Sequence, residues 1–388
     1  MSKRRKFNGL WWSKKFFIAW VLVALLAPIL ANKKAIIVQD ESGILFFPRV
    51  ISAESKVLLS APVPYDASTL DLDNSNAVGP FEKQQINSIY YRHWLGTDGL
   101  GRDVLANLIH GSKTALFVGF GAMGIAAIIG VFLGSIAAYY GDHKITFSRS
   151  RLILLIILLI VFLTIQFYAI PWDIGSVDLG LKLGLFVSIT SLFLLMLFLI
   201  NYFMTKLEIN NNVQQKSKGL KLPVDLIIGR IIEVMDALPL LFIIIALSAI
   251  FSPSIKSVIV IIGISSWAGI ARYTRAETLK IKELEYIEGA NALGFPAFKT
   301  IWSHILPNAI SPVLVSLSFG IAAAILIEAT LSFIGMGLST EEASWGKLIA
   351  EARVNYGAWW LAIFPGLAIF FAVLSCNIFG DRYLKSTE

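Results

Sequence analysis

The sequence is poor in charge, in cysteine and in histidine, and each shortage removes a class of protein. Only 15% of its 388 residues are Asp, Glu, Lys or Arg, against 56% apolar, and the mean hydropathy is +0.72. A soluble domain carries about 25% charged residues, so this chain has too little polar surface to coat a body that faces water. Its single cysteine, Cys376, lies in an apolar run and is read as a small packing residue, with no intrachain disulfide and no thiolate metal site. The four histidines, His93, His110, His143 and His304, never fall at ligand spacing, so no metal site is expected. A phosphate-cradling loop is missing too. Gly111-Ser112-Lys113-Thr114 lacks the adjacent Gly-Lys and the preceding strand that such a loop needs. With no nucleophile elbow or metal-hydrolase motif either, no catalytic residue and no bound cofactor are expected. The chain cannot power itself.

What the chain has instead is apolar length. Several windows approach or exceed the roughly 20 residues that cross a bilayer as a helix. In lipid the backbone must satisfy its own hydrogen bonds, so those windows are expected to be helical. The net charge of +7 forms no single stripe that would suit nucleic acid. Basic residues sit at the ends of apolar runs, as in Lys3, Arg4, Arg5 and Lys6, then Lys14 and Lys15, which is how cytoplasmic flanks are marked. Residues 16–31 also have the outline of a signal peptide, but 27–31 offer no clean Ala-x-Ala, so an uncleaved first helix is expected.

The first helix runs outward from a cytoplasmic N-terminus, and residues 32–113 are expected to form a long extracytoplasmic segment. Pro48, Pro62, Pro64 and Pro80 and a run of Asp, Asn and Ser over 66–76 favour turns there. Further spans are expected at about 114–140, 152–170, 183–205, 226–251, 257–271, 310–335 and 359–380. That makes about eight, with both termini cytoplasmic. Gly130 and Gly134 form a small-xxx-small pair that lets a second helix approach. The pair of spans within 144–222 leaves the orientation of everything downstream unchanged and reads as an inserted hairpin.

The cytoplasmic segment 272–310 is patterned beyond an ordinary loop. Residues 276–293 read as a helix, Gly294 as its left-handed end, and Pro296 as the start of a second helix. Over 297–306, Phe298, Ile301, Trp302 and Ile305 recur at the three- and four-residue spacing of one face. The expected object is a helix-turn-helix at the membrane surface with an apolar stripe to bury.

These residues carry a resemblance. Glu288-Gly289-Ala290, then Gly294, then Ile305-Leu306-Pro307 resembles the EAA motif of ATP-binding-cassette (ABC) importer permeases, with the spacing kept and Gly289 and His304 as departures. The ending His304-Ile305-Leu306-Pro307-Asn308 is similar to the peptide and nickel branch. So are His93-Trp94-Leu95-Gly96-Thr97-Asp98, Gly101-Arg102-Asp103-Val104, the stretch 328–335, Ser344-Trp345-Gly346 and Phe364-Pro365-Gly366. The resemblance covers about 90–142 and 223–384 plus the first helix. It omits most of the outer segment and the 144–222 hairpin, since familiar members have six spans.

The resemblance implies an all-α type I ABC-importer transmembrane domain over 114–388, a C-type permease subunit in a bacterial inner membrane. It implies a B-type permease partner, two ATPase subunits that use ATP and Mg, an extracytoplasmic substrate-binding protein and contact with lipid. Peptide cargo is the first expectation; nickel or another small solute is the alternative, and a gradient-driven secondary transporter a more distant one. It also implies that Glu288, Gly289, Ala290, Gly294, Phe298, Ile301, Trp302, Ile305, Leu306 and Pro307 dock an ATPase. Two readings stand for Glu328, inside an apolar span: a pathway residue or a structural hydrogen bond. Asp98, Arg102 and Asp103 are an outer-gate network or a local salt bridge, and Glu233 and Asp236 ion-pair partners of Arg230 or neighbours of the docking segment.

Overall fold

The computed structural model describes residues 9–34, 36–40, 43–46, 56–142, 146–147, isolated positions between 157 and 193, and 220–387. Helix α1 (Gly9–Leu30) leads outward to a three-stranded antiparallel sheet of β1 (Ile37–Asp40), β2 (Gly43–Phe46) and β3 (Lys56–Leu59), ordered β2-β1-β3. Helix α2 (Val104–Tyr140) is 37 residues long. It begins ten residues before the expected start of its span, because Asp103 caps it: the Asp103 carboxylate accepts from the Ala106 N–H at 2.7 Å. The helix therefore begins inside the segment expected over 32–113.

Strands β4 (Thr146–Phe147) and β5 (Leu220–Lys221) pair antiparallel and bring the two ends of the intervening segment together, the geometry an inserted hairpin requires. The expected spans 152–170 and 183–205 lie largely outside the described residues. The chain continues through α3 (Val224–Ala237), α4 (Leu240–Ser248), α5 (Ile255–Ser265), α6 (Trp267–Ile281), α7 (Glu285–Ala292), α8 (Ala297–Thr300), α9 (Leu306–Ile334), α10 (Trp345–Val354) and α11 (Trp360–Thr387).

Among the described residues, three helices are long and apolar enough to cross a membrane alone: 104–140, 297–334 and 360–380. Two more spans are broken. The expected 226–251 span is α3 and α4 meeting at 82° across Leu238-Pro239, and the expected 257–271 span is α5 and α6 meeting at 41° at Ser266. Pro239 lacks the N–H that would return to the preceding turn, which is why the first break falls there. A nine-residue helix such as α4 rises only about 14 Å, less than half a bilayer's hydrocarbon thickness. The second broken pair extends to Ile281, ten residues beyond the expected end.

Helix α2 is the central post, packed on α1, α5, α6 and α9. Its contact with α6 is backbone-close. A Cβ at Gly134 would lie 2.4 Å from the Ala271 carbonyl oxygen, so only glycine fits this crossing. The largest apolar core gathers Val118, Ala122, Ala126, Ile262, Ile270 and Leu331 from the helices around this post.

Candidate coupling segment and outer clasp

The segment 272–310 differs from its expected outline in two ways. The helix expected over 276–293 is two: α6 ends at Ile281 and α7 begins at Glu285. The second helix is not free-standing either. α8 passes through a π-turn at Ile301–Ile305, where the Leu306 N–H donates to the Ile301 carbonyl, and runs straight on into α9. Pro307 falls at the first turn of α9, where a missing N–H is tolerated, and the widened turn just before it absorbs the irregularity without ending the helix. What precedes Pro307 is thus one end of a helix long and apolar enough to cross a membrane.

Gly294 has φ +78°, the left-handed conformation expected of it. It closes α7 by donating its N–H to Asn291 O at 3.0 Å, while the Phe295 N–H returns to Ala290 O at 3.1 Å. The expected single stripe is divided between two faces. Ile301, Ile305 and Leu306 are buried with Ile287, Ala309, Ile281 and Tyr139 in a compact cluster, and Ala290 is buried nearby. Phe298 and Trp302 point the other way, 68% and 45% exposed, with rings 5.7 Å apart. A helix turns 100° per residue, so spacings of three and four leave room for two flanking stripes. Leu293 is 76% exposed beside them, and Glu288 and Gly289 also face outward. The elbow is tied to the spans by Tyr139, whose hydroxyl donates to Asn291 Oδ1 at 3.0 Å, and by Lys282, whose Nζ donates to the Ala138 carbonyl at 2.8 Å. The result is a rigid knuckle, apolar inside and aromatic outside.

Two ion pairs join α3 to α6 close by. Arg275 grips Asp225 with two parallel bonds of 2.5 and 2.6 Å, and Arg272 pairs with Asp236. Glu233 pairs with Arg230 at 2.6 Å, within α3 itself.

On the outer side, the three residues expected to act together belong to two networks. Arg102 bridges Asp98 (Nε to Oδ2, 2.5 Å) and Glu351 of α10 (2.5 Å), which locks the loop before α2 to the segment between α9 and α11. Burial and the nearby Asp98 charge push the Glu351 carboxyl above its ordinary range, with Arg102 opposing. Asp103 instead receives His93. That imidazole is fully buried, with Nδ1 2.8 Å from Asp103 Oδ1 and Nε2 3.1 Å from Asp71 Oδ2, and Tyr65 stacks on it with rings 4.4 Å apart. Burial works against a charged ring here, but the two carboxylate bonds outweigh it and His93 is raised above its ordinary value. Asp71 is lowered, its own burial being outweighed by bonds from Asn74 and His93. His93, Asp71 and Glu351 were not expected to act at any site. The nearest sequence signal was the place of His93 at the head of the Leu95-Gly96-Thr97-Asp98 stretch, and no local pattern pairs it with Asp71.

Glu328 is buried and accepts from the hydroxyls of Ser332 and Ser344, each at 2.8 Å. Ser344 in turn caps α10 by accepting from the Gly346 N–H at 3.1 Å. These bonds tie α9 to α10, and Glu328 is absent from the lining of the cavity between the broken helices.

Residues 218–386 match the model of the binding-protein-dependent transport system inner membrane component family. The chain is 26% identical to the dipeptide transport system permease protein DppC of Alkalihalophilus pseudofirmus, over 86% of this chain and 81% of that one. It is 27% identical to the DppC protein of Bacillus subtilis over 74% and 66%, and 28% identical to the glutathione transport system permease protein GsiD of Pectobacterium atrosepticum over 82% and 77%. Residues 218–386, with their broken spans and exposed knuckle, therefore match the binding-protein-dependent transport system inner membrane component family, and most of this multi-pass membrane chain is similar to permease proteins of dipeptide and glutathione transport systems.

Proposed function

We propose that the chain forms one half of a peptide-import pathway, paired with a B-type permease in a bacterial inner membrane with both termini cytoplasmic. Two ATPases bind ATP and Mg and perform the hydrolysis; this chain holds no cofactor and catalyses nothing. The observation that carries the reading is the knuckle at 285–305, whose Ile287, Ile301 and Ile305 are buried while Leu293, Phe298 and Trp302 are exposed. An apolar, aromatic face on a rigid base suits a cleft in a partner. Closure of the two ATPases on ATP then moves the knuckle, and with it α6 and α9, which alternates the pathway between outward and inward access.

Peptide as cargo is supported by the similar proteins, two dipeptide permeases and a glutathione permease. The test is uptake by the reconstituted importer of labelled dipeptides, tripeptides, glutathione and nickel. ATP-dependent peptide uptake is expected. Nickel uptake without peptide uptake reverses the cargo assignment, and co-purification that recovers no ATPase removes the whole reading.

A further inference from the structure

The loop 78–97 of the outer segment is pinned to the mouth of a membrane-crossing helix. The indole N–H of Trp360, at the start of the apolar stretch 360–380, donates to the Thr97 carbonyl at 3.1 Å, and the Val78 N–H donates to Thr97 Oγ1 at 3.0 Å. Gly96 has φ +80°, and a Cβ there would lie 2.7 Å from the Val78 carbonyl oxygen, so the loop closes without slack. Its height is thereby fixed at the end of the span, where apolar helix gives way to headgroups. We infer that the aromatic lip of this loop, Phe81 and Trp94 joined by Arg92, lies in the lipid headgroup layer, with the Arg92 guanidinium on a phospholipid phosphate. This needs only a chain that spans a membrane and is independent of the cargo.

Three observations carry it. First, Phe81 is 87% exposed, yet its ring stacks at 6.4 Å on Trp359, the residue just before that span. Trp359 heads an exposed apolar stripe, continued by Ile363, Leu367, Phe370 and Leu374, down one face of α11. The lip is therefore continuous with a surface that stands in the apolar layer, and large aromatic rings collect where such a surface meets the headgroups. Second, Arg92 ties the lip together. Its guanidinium lies 5.7 Å from the centre of the Trp94 ring, which is 57% exposed, and its Nη2 donates to the Pro80 carbonyl at 3.1 Å. Third, among the described residues this guanidinium meets no carboxylate, and Lys83, two residues from Phe81, is exposed as well. A guanidinium with open donors suits a phosphate, which it can grip with two parallel bonds. Exposed apolar patches serve either a protein partner or a membrane; the cationic rim and the unbroken run into the span favour the membrane.

The test is a depth measurement. The complete importer, in vesicles of phosphatidylethanolamine and phosphatidylglycerol and with Cys376→Ala as background, is spin-labelled at Phe81→Cys and, separately, at Trp94→Cys, so that each label leaves the other aromatic in place. Oxygen, which concentrates in lipid, and a water-soluble nickel chelate serve as the two relaxers. Both labels are expected to be relaxed more by oxygen than by the chelate. Arg92→Gln is expected to lower the ratio of lipid-seated to water-exposed label at Phe81→Cys about fivefold, the equivalent of about 1 kcal/mol for one cation at an anionic surface, and Arg92→Lys to restore most of it. Labels reached freely by the chelate overturn the placement in lipid. Labels shielded from both relaxers overturn it too, and give this face to a protein partner. An Arg92→Gln variant that keeps the parent ratio overturns the phosphate contact.

Discussion

At the scale of single residues, Gly294 and Glu328 illustrate two kinds of necessity. Gly294 sits at φ +78° with open space around the position of a Cβ. A larger residue there meets no steric wall from its neighbours, only the intrinsic cost of the left-handed region, about 1–2 kcal/mol. Gly294→Val is therefore expected to leave the permease folded and inserted, but to shift the angle of the knuckle. ATPase activity stimulated by the substrate-binding protein should fall several-fold while detergent-solubilised melting changes little; unchanged stimulation contradicts the elbow's role in coupling. Glu328 is necessary for its acceptor oxygen. Glu328→Gln keeps an oxygen facing Ser332 and Ser344, whereas Glu328→Ala leaves two buried hydroxyls short of a partner and is expected to cost about 2 kcal/mol. A thermal shift for Ala with little change for Gln, and transport in Gln near the parent level, is the expected pattern. Loss of transport in Gln with normal melting would instead give Glu328 a role in the pathway.

At the scale of elements, the proposed reading makes the knuckle the place where the chain meets an ATPase. Phe298 and Trp302 stand on its exposed face, and aromatic residues of this kind dominate interface energetics, often at about 2 kcal/mol or more each. Phe298→Ala with Trp302→Ala is expected to abolish co-purification of the ATPase at physiological salt, with membrane insertion intact. Ile301→Ala and Ile305→Ala, on the buried face, are expected to lower stability by about 2–5 kcal/mol each through cavity formation. The two pairs thus separate docking from folding. The sequence showed the period of this helix but not which half of its stripe would be buried. Three- and four-residue spacing defines an arc, and only the positions of Tyr139, Ile281 and Ile287 decide which side of the arc meets protein. The same limit explains the merged helix expected over 276–293. Residues 282–284, Lys-Glu-Leu, are ordinary helix formers, so no local signal marks the break; Lys282 instead leaves its helix to bond the Ala138 carbonyl.

At the scale of the whole molecule, the outer segment is fastened to the membrane helices by groups distant in sequence. The His93 clasp joins the segment around Asp71 to the cap of α2. His93 is raised in the folded protein, so its stabilising contribution is complete below its unfolded value near 6.5 and is lost as pH rises through the higher folded value. Asp71 is lowered, so its contribution is present above about 3.8 and is lost as pH falls through its folded value. Tyr65 is raised by burial and by Asp71 and Asp103, and stays protonated throughout. The clasp is therefore firmest between these limits, on the acid side of neutrality. Protection factors for hydrogen exchange over 65–104, which remove the intrinsic base catalysis of exchange, are expected to fall from pH 6 to pH 9 in the parent protein and to lose that dependence in His93→Gln. An identical profile in both proteins would exclude His93 as the titrating group.

The sequence by itself determined what needs only composition and local order. A scarcity of charge against long apolar windows made the chain a membrane protein, because lipid leaves the backbone no other donor or acceptor than its own. Gly294, with Pro296 behind it, set the elbow, because left-handed backbone favours glycine wherever it occurs. Tertiary structure decided what depends on distance through space. It placed Arg102 with Glu351, His93 with Asp71, and Glu328 with Ser344, pairs separated by loops or whole spans, because a charge takes whichever partner the packing of helices brings within about 3 Å. It also turned two expected spans into broken helices around one cavity, since a proline or a serine in an apolar run bends a helix only as far as its neighbours leave room.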